Sequence, residues 1–236
     1  MEKTAHSTLQ DAYVLHRRSF RETSLFIDIF TRDHGLLRLI AKGAHRGKNP
    51  KAVMLQPFRQ LSLAWAGRSQ LPTLTECELI GGHNLPGRAM LCGLYLNELL
   101  VRLLPPWDAH PRLFARYVEA LQNLLGEERI ESTLRVFELF VLNELGYVPA
   151  LDEDADSGQP LDPDSHYDYV PEHGLVRGSL HPGSFRGASL LALTRGQLQN
   201  QDELREAKRL MRGIINPILG NRPLKSRELF HYTQIE

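Results

Sequence analysis

Apolar residues change their spacing once along this chain, and that change constrains the fold more than any other feature. Up to about residue 82 they alternate. Leu25, Ile27 and Ile29 fall on one side of an extended segment, with Phe26, Asp28 and Phe30 on the other. Ala12 to Leu15 opens the series, Leu37 and Leu39 bracket Arg38, and Leu61, Leu63 and Trp65 alternate with Ser62 and Ala64. Leu74 to Leu79 closes it. Turn-forming residues separate these runs at Asp33-His34-Gly35, across Lys42 to Pro50, and at Gly67-Arg68-Ser69. Short strands in so small a segment present unpaired edges unless the sheet closes on itself. The spacing therefore predicts a small five-stranded barrel over residues 1–82. An OB-type barrel is the first choice, with an SH3-like one left open by period-two patterning alone.

From Gly87 the period is helical. Gly87 to Leu104 carries Leu91, Leu94, Tyr95 and Leu99 and stops before Pro105-Pro106. A second helix starts with Pro111 in its first turn and places Phe114, Tyr117, Val118, Leu121, Leu124 and Leu125 on one stripe, with Gly126 as a left-handed cap. A third, from about Arg129 to Leu145, buries Leu134, Phe137, Phe140 and Val141 and ends at Gly146. The last, from about Asp202 to Leu219, carries Leu204, Ala207, Met211, Ile214, Ile215 and Ile218, and Pro217 is expected to kink it or end it early. Between Gly146 and Arg186 periodicity breaks down, apart from a small hairpin expected within His166 to Leu180. The fold class is thus α+β: an N-terminal five-stranded OB-type β-barrel (1–82), then a mainly helical domain (83–236) with a short irregular and β insert at about 147–186.

Charge is balanced overall, Lys plus Arg 28 against Asp plus Glu 28, but unevenly distributed. Gln10 to Gln70 holds 11 basic and 4 acidic residues, Ala150 to Leu175 holds 8 acidic and no Lys or Arg, and Arg195 to Arg227 holds 8 basic and 3 acidic. Basic blocks flanking an acidic one are the electrostatic footprint expected of a nucleic-acid-binding chain. A composition of 42% hydrophobic and 24% charged residues is that of an ordinary globular protein. No apolar run approaches the ~18–20 residues needed to cross a bilayer, and the polar start, Met1 to Gln10, lacks an apolar leader. Cys77 and Cys92 read as reduced cytoplasmic thiols.

Catalytic and metal motifs fail in detail. The cationic Lys42-Gly43-Ala44-His45-Arg46-Gly47-Lys48-Asn49-Pro50-Lys51 stretch suits a phosphate backbone, but its glycines are too close for a nucleotide-binding P-loop and Asn49 stands at the Mg²⁺-binding Ser/Thr position. A calcium loop starting at Asp152 needs Gly at its sixth position and Glu at its twelfth, where Ser157 and Pro163 stand. His166, His173 and His181 lack metal-ligand spacing, and Ser184 is one place early for a nucleophile elbow. The chain reads as a non-enzyme.

Ala12-Tyr13-Val14-Leu15-His16, Arg21-Glu22-Thr23-Ser24-Leu25 and Arg38-Leu39-Ile40-Ala41-Lys42-Gly43-Ala44 resemble the opening of the RecO family of bacterial recombination mediators. In the same order as that family's later motifs follow Gly93-Leu94-Tyr95-Leu96-Asn97-Glu98-Leu99-Leu100, then Phe137-Glu138-Leu139 with Leu145-Gly146-Tyr147, and Pro223-Leu224-Lys225-Ser226-Arg227-Glu228-Leu229-Phe230. The resemblance runs from about residue 10 to 230. It implies a cytoplasmic, nucleoid-associated protein of the RecF pathway, monomeric alone, with no membrane partner. Such a protein binds single- and double-stranded DNA, anneals complementary strands without ATP, and acts with RecR to load RecA onto strands coated by single-stranded-DNA-binding protein (SSB). It also implies recognition of the acidic, Phe-ending SSB tail. Some RecO-like proteins hold zinc through four cysteines in the insert. The segment Val148 to Leu180 has none, so the chain resembles the zinc-free branch and no cofactor is expected.

Annealing requires phosphate neutralisation that leaves base edges free. The cations expected to supply it are Arg17, Arg18, Arg21, Lys42, Arg46, Lys48, Lys51, Arg59 and Arg68 on the barrel, and Lys208, Arg209, Arg212, Lys225 and Arg227 near the C-terminus. Tyr13, Phe26, Phe58 and Trp65 are stacking candidates, each also readable as barrel core. For the SSB tail, Arg135 beside Phe137 and Leu139 matches a family position implicated in that contact, with Arg112 and Arg116 on the preceding helix. Two other readings fit parts of the pattern: an OB-type RNA-binding or translation-associated factor, and a hydrolase using the acidic insert.

Overall fold

The alternating segments become β1 (Gln10–Phe20), β2 (Ser24–Thr31), β3 (Gly35–Ala41), β4 (Arg59–Ala66) and β5 (Thr73–Gly82), with a short helix α1 (Pro50–Met54) before β4. This is a computed structural model, and it describes residues 8–44, 50–67, 71–148, 150–220 and 222–232. The strands close into a barrel in the order β1-β2-β3-β5-β4. All pairings are antiparallel except the short parallel contact of β3 with β5 at Ile40 and Thr73. Its interior is filled by the inward-facing residues of the alternation, among them Val14, Leu25, Ile27, Ile29, Leu37, Leu39, Leu61, Leu63 and Trp65. The five-stranded barrel and helical region expected from the sequence are both present.

Tyr13, Val14 and Leu15 are all buried, although successive strand residues face opposite sides. The cause is a helical layer on the outside. Beyond the barrel come α2 (Gly87–Leu103) and α3 (Pro111–Asn123). On α3, Phe114 and Tyr117 pack against Tyr13 (ring centroids 5.9 and 5.5 Å) and against Phe30. A buried polar link ties the layers: Asn97 Nδ2 donates to the Leu15 carbonyl at 2.8 Å, and the Tyr117 hydroxyl donates to Asn97 Oδ1 at 2.6 Å. Burial pushes the Tyr117 phenol well above its ordinary pKa, so it stays a donor. Two glycines permit close approach. A Cβ on Gly93 would lie 2.8 Å from the Phe58 ring, and one on Gly35 (φ +67°) would lie 1.7 Å from the Asp108 carbonyl oxygen.

The following helices are α4 (Ile130–Glu144), α5 (Gly187–Thr194), α6 (Gln201–Leu219) and α7 (Lys225–Tyr232), with a sheet of β6 (His166–Val170), β7 (Gly174–Gly178) and β8 (Phe185–Arg186) in the order β7-β6-β8. The chain forms two compact units. One joins the described residues up to Leu125 with those from Leu224 onward, so α7 returns to the barrel unit; the other is Gly126–Pro223. The return is anchored by Glu98 on α2, whose carboxylate accepts from the backbone N–H of Lys225 (2.9 Å) and Ser226 (2.8 Å). Those are orphan donors at the start of α7, and a carboxylate there also suits the helix dipole.

Two local expectations need correction. Gly126 is not a left-handed cap: its φ is −94°, and it leads into a 3₁₀ turn at Glu127–Arg129, leaving Leu125 exposed. Pro217 does not end α6, which runs to Leu219. The carbonyl that the Pro ring opposes belongs to exposed Gly213, where water can satisfy it.

Candidate nucleic-acid interface

The structure sorts the sequence-derived cations by what already holds them. In the barrel unit Arg18, Arg21, Lys42 and Lys225 are exposed, and among the described residues none makes an ion pair with a carboxylate. Arg17 is half-buried and spends one donor on the Ala52 carbonyl (2.6 Å), fastening α1 to β1. Lys51 on α1 and Arg59 on β4 are also half-buried, and Arg227 lies with its guanidinium 5.7 Å over the Tyr95 ring. Arg46, Lys48 and Arg68 lie outside the described residues. Arg38, which is not among the expected DNA-binding cations, donates through Nε to Asp28 at 2.5 Å. Burial opposes ionisation of Asp28. Hydrogen bonds and charge from His16 and Arg38 overcome it and hold the carboxyl below the usual carboxylate range. Arg38 is thereby partly neutralised.

In the second unit most of the expected cations have structural work. Arg209 on α6 donates to the Pro182 carbonyl at 2.7 Å and to that of Ser184, and stacks over Phe185 at 4.3 Å. It clamps the end of the insert to the helix. Lys208 lies 3.8 Å from Glu131. Arg212 is exposed.

Several carboxylates of the acidic insert find partners inside it. Asp156 pairs with His173 (2.8 Å), Asp162 with Arg177 (2.6 Å) and Asp168 with His181 (2.7 Å). Asp154 is buried and accepts from Ser157 N and Oγ and from Arg177 N, which closes the turn and joins it to β7. Those bonds hold its carboxyl below the ordinary range. The residues present do not fit a zinc ion. No group of three or more His, Cys, Asp or Glu among the described residues is placed to hold a metal, and Cys77 and Cys92 sit on β5 and α2 in the other unit.

The stacking candidates divide cleanly. Tyr13, Phe58 and Trp65 are buried, as the core reading of each had it. Only Phe26 stands half-exposed, on the outer face of β2. Beside it is Phe20, which the sequence did not single out because the visible alternation of β1 ends at Leu15.

The expected tail-binding residues on α4 need a correction. Phe137 and Leu139 belong to the core, and Arg135 is buried with its guanidinium 2.8 Å from Glu138, itself fully buried. Phe137 does not share a helix face with Arg135 and Leu139, and a charge taken from water survives only when paired. On α3, Arg112 is exposed and Arg116 donates to Glu119 at 2.7 Å.

The arrangement offers exposed cations on a barrel backed by helices, a chemistry suited to phosphate groups. Family models described as "Recombination protein O N terminal" and "Recombination protein O C terminal" match residues 5–83 and 87–228. Curated relatives named "DNA repair protein RecO" include one from Methylococcus capsulatus, 45% identical over 94% of this chain and 92% of its own length. Others are from Stutzerimonas stutzeri (46%, over 94% and 92%) and Pseudomonas aeruginosa (45%, over 94% of each).

Proposed function

Since this chain belongs to the RecO family of DNA repair and recombination proteins, we propose that it binds single- and double-stranded DNA, anneals complementary strands without ATP, and with RecR helps load RecA onto SSB-coated DNA. The observation that carries this reading is the gathering of Arg18, Arg21, Lys42 and Lys225, from opposite ends of the sequence, in one compact unit and unpaired with acids among the described residues. Two polyanions repel. A surface that neutralises phosphates while leaving base edges open lets complementary strands find each other. Glu98, by capping α7, helps hold Lys225 in that unit. Arg212 adds a cation on the second unit. The insert needs no metal in this reading, because Asp154 closes it.

SSB recognition joins the proposal through the family, with exposed Arg112 as a partner for the tail's carboxylate. The direct test is annealing of complementary oligonucleotides without nucleotide or metal, alongside capture of SSB with and without its terminal Phe. We expect annealing that weakens steeply with salt and capture that needs the Phe. Preference for structured RNA, with neither annealing nor SSB capture, would overturn the reading.

A further inference from the structure

We propose that the tip of the β1–β2 hairpin is a nucleobase-stacking site, in which Phe20 and Phe26, flanked by Arg21 and Arg18, take the face of an unpaired DNA base. The rings of Phe20 and Phe26 are adjacent, centroids 4.0 Å apart and inclined by 33°. The Arg18 guanidinium lies 4.8 Å over the Phe26 ring, and that of Arg21 lies 5.0 Å over Phe20. The inward residues of this hairpin, Leu25 and Ile27, fill the barrel, so Phe26 and its paired neighbour Arg18 occupy the outer surface. Both phenyl rings are half-exposed and both guanidiniums exposed.

A cross-strand aromatic pair can serve only to stiffen a hairpin. Two observations point further. The turn Arg21-Glu22-Thr23 puts Arg21 in the left-handed region (φ +54°), a conformation that favours Gly or Asn. Strain of this kind persists where the placement of the side chain matters. The two arginines also carry no carboxylate partner among the described residues, although Glu22 is in the same turn. Cations on an aromatic stack with no acid to quench them match a nucleotide unit, phosphate and base together. Bases in a duplex are already stacked and hidden, so this site distinguishes unpaired from paired DNA. It rests on the DNA-binding reading above and gives that reading its single-strand preference.

The experiment compares an oligo(dT) with an abasic oligonucleotide of equal length and charge, using the wild-type protein and the double variant Phe20→Leu/Phe26→Leu. Stacking is expected to make wild-type binding of oligo(dT) roughly tenfold tighter than binding of the abasic strand. The double variant should lose that difference while keeping its abasic affinity and salt slope. Equal wild-type affinities for the two strands overturn the proposal whether or not the variant folds. So does a difference that survives in the variant, or a variant that loses abasic binding to the same degree. Binding of neither strand by the wild type would instead bring down the DNA-binding reading itself.

Discussion

Single side chains decide which charges in this protein are available, and one carboxylate shows it best. Asp154 holds the turn of the insert through Ser157 and Arg177, so Asp154→Ala should loosen the insert while leaving annealing intact. Protease nicking confined to residues 150–180 would show the first, and an unchanged annealing rate the second. His83, packed on Tyr13, has its pKa lowered from 6.5 by burial, against a hydrogen bond with Gln122 that favours the charged ring. The folded state therefore binds that proton more weakly than the unfolded chain does. Its contribution is present above about 6.5 and lost as pH falls through the lowered value. Asp28, also lowered, adds its loss only below the ordinary carboxylate range. We expect His83→Gln to flatten the pH dependence of Tm just below 6.5 without altering the steeper acid limb. A wild-type Tm independent of pH across that window would contradict this. None of these fates was legible in the sequence. Arg209 and Arg212 look alike there, and what separates them is Pro182 and Ser184, brought close only by the fold. Arg135 likewise reads as a helix charge until Glu138 is found buried beside it.

Elements show the opposite balance. The strands were readable because period-two burial leaves a direct trace: Leu25, Ile27 and Ile29 all face the interior as their spacing required. α2, α3, α4 and α6 were readable for the same reason at helical period. α5 and α7 were not, since each is 8 residues long and too short to show a stripe. What defines α7 is distant, the carboxylate of Glu98 at its first N–H groups. Glu98→Ala should release it. Amide exchange of residues 225–229 would rise, with a stability loss of about 0.5–2 kcal/mol, as for other helix caps. The link between barrel and α2 is stiffer. Asn97→Ala removes two buried hydrogen bonds, one to the Leu15 carbonyl and one from the Tyr117 hydroxyl, at about 0.5–1.5 kcal/mol each. Gly93→Ala forces a methyl onto the Phe58 ring, and overpacking of that kind costs about 1–3 kcal/mol. Chemical denaturation of the two variants checks both figures.

At the scale of the whole molecule the distinguishing property is how neutrality is arranged. Asp156, Asp162 and Asp168 of the insert find partners within it, His173, Arg177 and His181. Exposed cations from both ends of the sequence remain together in the barrel unit. The uneven charge could be read from the sequence, but the pairing within the insert could not. Each phosphate neutralised on a single strand releases counterions and steepens the salt dependence of binding by about 0.7 in log–log slope. The decisive measurement is therefore a salt titration of oligo(dT) binding by the wild type and by the variant Arg18→Ala/Arg21→Ala/Lys42→Ala/Lys225→Ala. The wild type should give a steep slope, and the variant a slope lower by about 2–3. A shallow wild-type slope, or one that the four substitutions leave unchanged, would contradict the account.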